Sequence, residues 1–419
     1  MSISYKTPSY FSGFSCLGGE CEDTCCRNWE VKLDRQHFDL LKSSMSESAE
    51  ESSIFEQYIH LNENSITSDH DYAFIRMGVN GYCAMLDSKG LCSIHAKHGV
   101  TVLGNVCTMF PRVISRCGDT VELSGALSCP EVVRNCIDDN TPLKLKRFKT
   151  SELPRSKNYP IQRELLDIDE DDNYSKYFDF VRDEVMSIIA NEKLNLETRL
   201  YMMAHSAYKL SGFYHRGCQT FERKKIESIF KNLSKNEVTT MLGNFINEYD
   251  ANTQLSMVIV HSILSIKLQQ SNDENISLLY ENIVNKYTAK DDNIAEVLAE
   301  KLIKHNAEMS QENKDYIDRA ITRYLLNCLF REWFVTMPDL FTYVQMLLLR
   351  TSILRILILL DVGEEELELH QLKQKIVYII YNFARNIDQN FDFLKIIYNA
   401  LSEQSMLNYD FSPAFIRLY

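Results

Sequence analysis

From about residue 174 onward, apolar positions recur every three or four residues. Phe178, Val181, Val185 and Ile188 make one such stripe. Leu255, Val258, Ile259, Ile263 and Ile266 make a second, and Leu369, Leu372, Ile376, Ile379 and Phe383 a third. Each is the pattern of a helix with one face in a core. No proline lies between Pro160 and Pro338, and roughly ten helices are predicted to the C-terminus, with no fixed-period repeat. The most apolar stretch, Leu340 to Leu360, is cut by Arg350, Arg355, Gln345, Thr351 and Ser352. It is predicted to be a buried helix, not a membrane span.

The first 136 residues have another texture. Ten of the fourteen glycines precede residue 126, which predicts a loop-rich segment of short elements. Trp29, Val31 and Leu33 alternate with polar residues as a brief strand does, and Asp34 is placed to cap a following helix. Val121 and Leu123 around Glu122 predict another short strand. A polar connection follows, with Pro142, Pro154 and Pro160, a basic patch (Lys144, Lys146, Arg147, Lys149) and an acidic run (Asp167, Asp169, Glu170, Asp171, Asp172). Both charge runs are expected on the solvated surface of a linker. The expected fold is mainly α: a small cysteine-rich, loop-rich metal-binding domain (1–137), a linker (138–173) and a large α-helical domain (174–419).

The formal charge of −13 argues against a nucleic-acid partner, which needs a basic stripe to displace counterions. Residues 1–15 have no basic segment followed by an apolar core, so no secretory signal is read there. A cytoplasmic location and no membrane association are expected. In a reducing compartment, dense cysteine points to metal more than to disulfides.

Ten of the twelve cysteines lie between Cys16 and Cys136. The series runs Cys16-x4-Cys21-x3-Cys25-Cys26, then Cys83-x8-Cys92-x14-Cys107, then Cys129-Pro130, with Cys117 and Cys136 as extras. Thiolates bind soft metals and iron–sulfur clusters, and close spacing lowers the entropy of gathering them. The candidate metal ligands are Cys16, Cys21, Cys25, Cys26, Cys83, Cys92, Cys107 and Cys129. Eight thiols exceed one four-cysteine site, so either some are structural or there are two centres. Zinc ribbons favour C-x2-C knuckles, and no pair here has that spacing. His95 and His98 are expected on a helix surface after Cys92. The irregular spacing favours an iron–sulfur cluster, with zinc as the alternative.

These residues form ordered blocks. Phe14-x-Cys16-x4-Cys21-x-Asp23-Thr24-Cys25-Cys26-x2-Trp29 is followed by Leu33-Asp34, Gly81-x-Cys83-x2-Leu86, Gly90-Leu91-Cys92-x-Ile94, Cys107-x3-Pro111-Arg112 and Leu127-Ser128-Cys129-Pro130-Glu131-x2-Arg134. Spanning most of residues 11 to 136, they resemble the opening of the flagellin lysine-N-methylases, whereas the C-terminal two-thirds is similar only as a helical region of suitable length. The resemblance implies methyl transfer from S-adenosylmethionine to surface lysines of flagellin by a protein carrying a [4Fe–4S] cluster. Shorter proteins with the same cysteine motif are described as zinc or iron chelators. No G-x-G loop of the Rossmann kind and no C-x3-C-x2-C run is present, since Asn28 follows Cys21 and Cys25 where a third cysteine would stand. The sequence therefore marks neither a catalytic residue nor a donor pocket.

Methyl transfer to lysine needs the neutral amine. With a free pKa of about 10.4, the ammonium lies roughly three units, or about 4 kcal/mol, away at neutral pH. Desolvation, nearby positive charge or a base supplies that difference. Trp29 is expected to anchor the small core. Arg112 and Arg134 suit either a ligand carboxylate or an ion pair with Asp23 or Glu131, and Asp23 suits either substrate polarisation or a turn beside Cys25. Two other functions stay open: a non-enzymatic metal carrier whose helices hold a partner protein, and a redox or iron-sensing regulator.

Overall fold

The computed structural model describes residues 4–27, 31–63, 71–78, 81–117, 120–138, 144–149, 163–165, 173–218, 222–270, 274–363 and 367–419. Trp29, Pro142, Pro154, Pro160 and the acidic run 167–172 lie outside them.

The protein is mainly α, with eighteen α-helices among the described residues and the strands confined to the N-terminal 165 residues. Strands β1 (Ser4–Pro8), β5 (Arg112–Cys117), β6 (Thr120–Gly125), β7 (Leu145–Lys149) and β8 (Arg163–Leu165) form a mixed sheet in the order β7-β1-β6-β5-β8. The sequence places β7 and β8 within the expected linker, where they close the two edges of this sheet. Lys146 and Arg147 of the basic patch are exposed on edge strand β7, where charge discourages pairing with another chain. Strands β2 (Val31–Leu33), β3 (Ile59–Leu61) and β4 (Ala73–Ile75) make a small antiparallel sheet, β2-β4-β3.

Both predicted strands exist. Asp34 caps the helix Arg35–Met45, its carboxylate accepting from His37 N at 2.9 Å. The β6 prediction missed one side chain: Glu122 is buried and ion-paired with Arg182 of the helix Phe178–Ile189, which also meets Asp179 at 2.6 Å.

Two cores result. The smaller one gathers Val31, Leu33, Phe38, Leu41, Ile75, Met85, Ile94 and Leu103. The larger one joins Tyr5, Phe11, Ile114, Leu123 and Val132 to helical residues such as Phe178, Ile321, Leu347 and Phe383. Segments on either side of the small core are thus built onto the helices. Gly125 sits at that joint, where a Cβ would come within 2.6 Å of Val132 and 2.8 Å of the Phe11 ring.

The helical stripes hold with one shift. Phe178, Val181 and Val185 are buried, as are Leu372, Ile376, Ile379 and Phe383. In the helix Thr253–Gln270, Met257, Val260, Ile263 and Leu264 face inward, while Val258 is 45 % exposed. The helix Leu340–Val362 has the length and hydropathy of a membrane span, yet its apolar window is wholly buried in the protein. Arg355 within it pairs with Glu197 at 2.5 Å, and Arg350 sits between two carboxylates.

Candidate functional site: a cysteine-edged cationic cavity

The cysteines come from four chain segments. Cys16, Cys21, Cys25 and Cys26 lie on loops around the turn Gly18–Glu20, and Cys26 O accepts from Cys83 N at 2.9 Å. Cys92 immediately precedes the short helix Ser93–His98, Cys107 lies in Asn105–Met109, and Cys129 precedes the helix Pro130–Asp138. No disulfide joins any of the twelve cysteines. Cys26 is pushed strongly up by its hydrogen bond with Cys25, by burial and by the nearby Cys107 and Cys83. Burial raises Cys83, with Cys92 and Cys25 adding to it, and raises Cys129 to about 12, where Cys21 and Cys25 add to it. Cys21 is raised by burial, with Cys16 among its neighbours. Cys21, Cys26, Cys83 and Cys129 thus each have other cysteines of the series among their electrostatic neighbours. Cys25 is the exception in acidity: the Cys26 hydrogen bond, against burial and with help from Arg385, lowers it to about 7.

Cys117 and Cys136 are elsewhere. Cys117 ends β5 beside Asp179, Arg182 and Glu122, and Cys136 donates to Arg323 O at 3.6 Å. His98 meets Glu51 at 3.3 Å and His95 is exposed. Among the described residues, no three or more His, Cys, Asp or Glu side chains converge tightly enough to hold a metal ion. The cysteines suit a sulfur-ligated centre in donor type, because thiolates are soft ligands and none is spent in a disulfide.

Cys25 also edges a cavity of 1540 Å³. One wall comes from the N-terminal segments, with Arg27, Phe110, Arg112 and Ser128; the other comes from the helices, with Arg331, Glu332, Trp333, Tyr343, Arg350, Arg385 and Asp388. The two walls are tied across the gap. Arg385 meets Asp23 at 2.8 Å and donates to Ser128 O at 3.3 Å, and Gln389 donates to Ser128 Oγ at 3.0 Å. Asp23 is thus an ion-pair partner of the helical wall. Arg134 pairs with Glu131 and with Glu22, and Arg112 lies over the Phe14 ring at 5.1 Å.

The helical wall contains a buried charge network. Arg350 Nη2 donates to Glu332 at 2.7 Å, and Arg350 Nη1 to Glu332 at 3.0 Å and Asp388 at 3.3 Å. Burial would raise the Glu332 carboxyl, but Arg350, then Arg331 and the Tyr343 hydroxyl, hold it at about 2. Asp388 goes the other way: burial raises it to about 6, more than Arg350 offsets, and Glu332 adds to the rise. Asp388 ends a π-helical turn, Ala384–Asp388, that continues the helix Leu369–Phe383. Such turns are rare and concentrate at functional sites. This one supplies Arg385, Asn386 and Asp388 to the cavity. Trp333 lines it too, and its Nε1–H is buried with no acceptor among the described residues.

Seven cationic side chains line the cavity against three carboxylates, inside a chain of net charge −13. None of the helical-wall residues carries a sequence motif. The signal that could have found them is the pair of arginines in the most apolar helix, because a buried ion must be paired.

A family model, the FliB lysine N-methylase C-terminal domain, matches residues 182–411, the segment that builds this wall. The chain belongs to that family. It is 27% identical over 173 residues to a lysine-N-methylase of Salmonella typhimurium, a match covering 40% of this chain and 41% of that protein. It is 29% identical over 167 residues to the flagellar biosynthetic protein FliU of Salmonella muenchen, covering 38% of this chain and 96% of that protein. The match thus spans about two-fifths of the length of the Salmonella typhimurium methylase. No solved structure matches the chain.

Proposed function

We propose that this FliB-family chain is a lysine N-methyltransferase that moves methyl from S-adenosylmethionine to surface lysines of flagellin, and that its cysteines hold a [4Fe–4S] cluster. The observation that carries the reading is the joint cavity. The cysteine segments supply one wall and the family's C-terminal region the other. At 1540 Å³ it exceeds the roughly 300–1,000 Å³ of an ordinary ligand pocket, which leaves room for a donor and a lysyl chain together. The flagellar names of the relatives support flagellin as the acceptor.

Four of Cys16, Cys21, Cys25, Cys26, Cys83, Cys92, Cys107 and Cys129 would hold the cluster, with Cys25 nearest the cavity. When bound, it would tie the cysteine segments together and set an anionic centre against a cationic wall. The chain's own residues do the rest. Arg112 and Arg385 suit the donor's carboxylate, and the faces of Trp333, Tyr343 and Phe110 suit its adenine and sulfonium. Enclosure holds amine and methyl at attack distance.

The test is protein purified without oxygen and incubated with flagellin and isotopically labelled methyl donor, with iron, sulfide and zinc measured on the same sample. Label on flagellin lysine supports the reading. Unlabelled flagellin from an iron-loaded sample sinks it, and zinc in place of iron with label transferred removes the cluster alone.

A further inference from the structure

We propose that Asp388 is the proton acceptor of this transfer: its carboxylate takes the proton from the lysine ammonium entering the cavity, while Glu332, clamped by Arg350, remains the fixed anion beside it. This rests on the methyl-transfer reading above.

Two carboxylates share one guanidinium, yet their surroundings divide them. Glu332 is contacted by Arg350 through both terminal nitrogens, by Arg331 at 3.4 Å and by the Tyr343 hydroxyl at 3.1 Å. Its lone pairs are largely committed. Asp388 receives the Tyr324 hydroxyl at 3.0 Å and one Arg350 nitrogen at 3.3 Å. A carboxylate offers about four acceptor sites, so Asp388, whose side chain is 1% exposed at the cavity wall, keeps an acceptor site that these bonds do not use. Divergent environments for paired acids separate a group that stays charged from one that exchanges a proton. Asp388 also sits at the end of the π-helical turn, whose widened backbone brings it to the cavity wall.

The charge of the cavity completes the argument. Surrounding a lysine ammonium with seven cations against three carboxylates lowers its affinity for the proton, as does desolvation. That narrows the gap between lysine and Asp388, which burial raises to about 6 with Glu332 adding to the rise, while Arg350, Arg331 and the Tyr324 hydroxyl oppose it. The steps balance. The ammonium proton moves to Asp388 Oδ; the amine lone pair then forms the N–C bond, the C–S bond breaks, and its electron pair stays on sulfur as the neutral thioether.

The experiment follows kcat and KM against pH with labelled S-adenosylmethionine and flagellin, in wild type, Asp388→Asn and Asp388→Glu. The wild type should lose kcat below about pH 6, where Asp388 is protonated. Asp388→Asn should lose about 100-fold or more in kcat, together with that acid limb, while binding of the donor alone, read by calorimetry, stays unchanged; Asp388→Glu should recover part of the rate. An Asp388→Asn enzyme within about threefold of wild type, with the limb intact, overturns the proposal. Should circular dichroism find Asp388→Asn unfolded, the wild-type profile decides, and a flat kcat between pH 5 and 7.5 overturns it. A wild type that moves no methyl removes the transferase reading, and this proposal falls with it.

Discussion

Replacing Arg350 with methionine tests whether the charge network at the cavity is held as described. The substitution keeps an unbranched apolar stem in the helix Leu340–Val362 and deletes the guanidinium that meets Glu332 at 2.7 Å and Asp388 at 3.3 Å. Glu332 stands at about 2, against an ordinary carboxyl near 4.3, so its surroundings stabilise the folded protein by about 3 kcal/mol at neutral pH. Removing one partner of a buried pair typically costs about 3–5 kcal/mol, because the other charge is left stranded. The expected loss in Arg350→Met is therefore about 3 kcal/mol or more at pH 7, read by urea unfolding with Trp333, beside the network, as fluorophore. The pH dependence is the sharper half. Glu332 is depressed in the folded wild type, so its contribution is full above the unfolded value and vanishes only as pH falls through about 2. In the variant, burial without Arg350 raises the same carboxyl, and protonation relieves the strain. The deficit should accordingly be smaller at pH 5 than at pH 7.5, by about 1 kcal/mol or more. A loss under about 1 kcal/mol at pH 7, or a deficit equal at both pH values, refutes the network as the source of this wall's stability.

Other substitutions probe the frame around the cavity. Gly125→Ala drives a methyl into Val132 and Phe11 and should destabilise by about 1–3 kcal/mol in thermal melts; a variant as stable as wild type would mean the joint accommodates the methyl. Asp34→Ala removes the cap on Arg35–Met45 and the bond from Asn105 at 3.0 Å, for a loss of about 1 kcal/mol by chemical denaturation. Cys25→Ser should lower bound iron and sulfide in anaerobically purified protein, whereas Cys117→Ser, at the end of β5 beside Asp179 and Arg182, should leave both at the wild-type level. Equal iron in the two variants would take Cys25 out of the centre.

The helical architecture was legible because it is written in apolar spacing. Leu372, Ile376, Ile379 and Phe383 recur at the helical period and are all fully buried. Where the stripe was misread, at Val258, the helix is apolar on more than one face, so spacing alone could not say which side meets the core. The linker was harder. Its prolines and charges hid β7 and β8, because an edge strand needs few apolar residues and tolerates lysine. The burial of Glu122 was not legible, since its partner, Arg182, lies sixty positions later and nothing local announces it.

The site divides along the same line. Cysteines reveal themselves by composition, so the segment carrying Cys25, which edges the cavity, stood out from the residues alone. The opposite wall uses residues that any soluble helix contains, and only their burial distinguishes them. Arg350 was visible as a polar break in an apolar run, and the helix that carries it is buried in the protein. The same break carried a second meaning. A guanidinium enclosed by leucines and isoleucines must have carboxylates within reach, and these had to come from other elements. Glu332 and Asp388 are those carboxylates, lying eighteen residues before and thirty-eight after it. The cavity they border is also where the family's C-terminal region meets the cysteine segments. The network of Arg350, Glu332 and Asp388 is therefore placed where the two sets of segments meet, and its burial there is what the spacing of apolar residues could not announce.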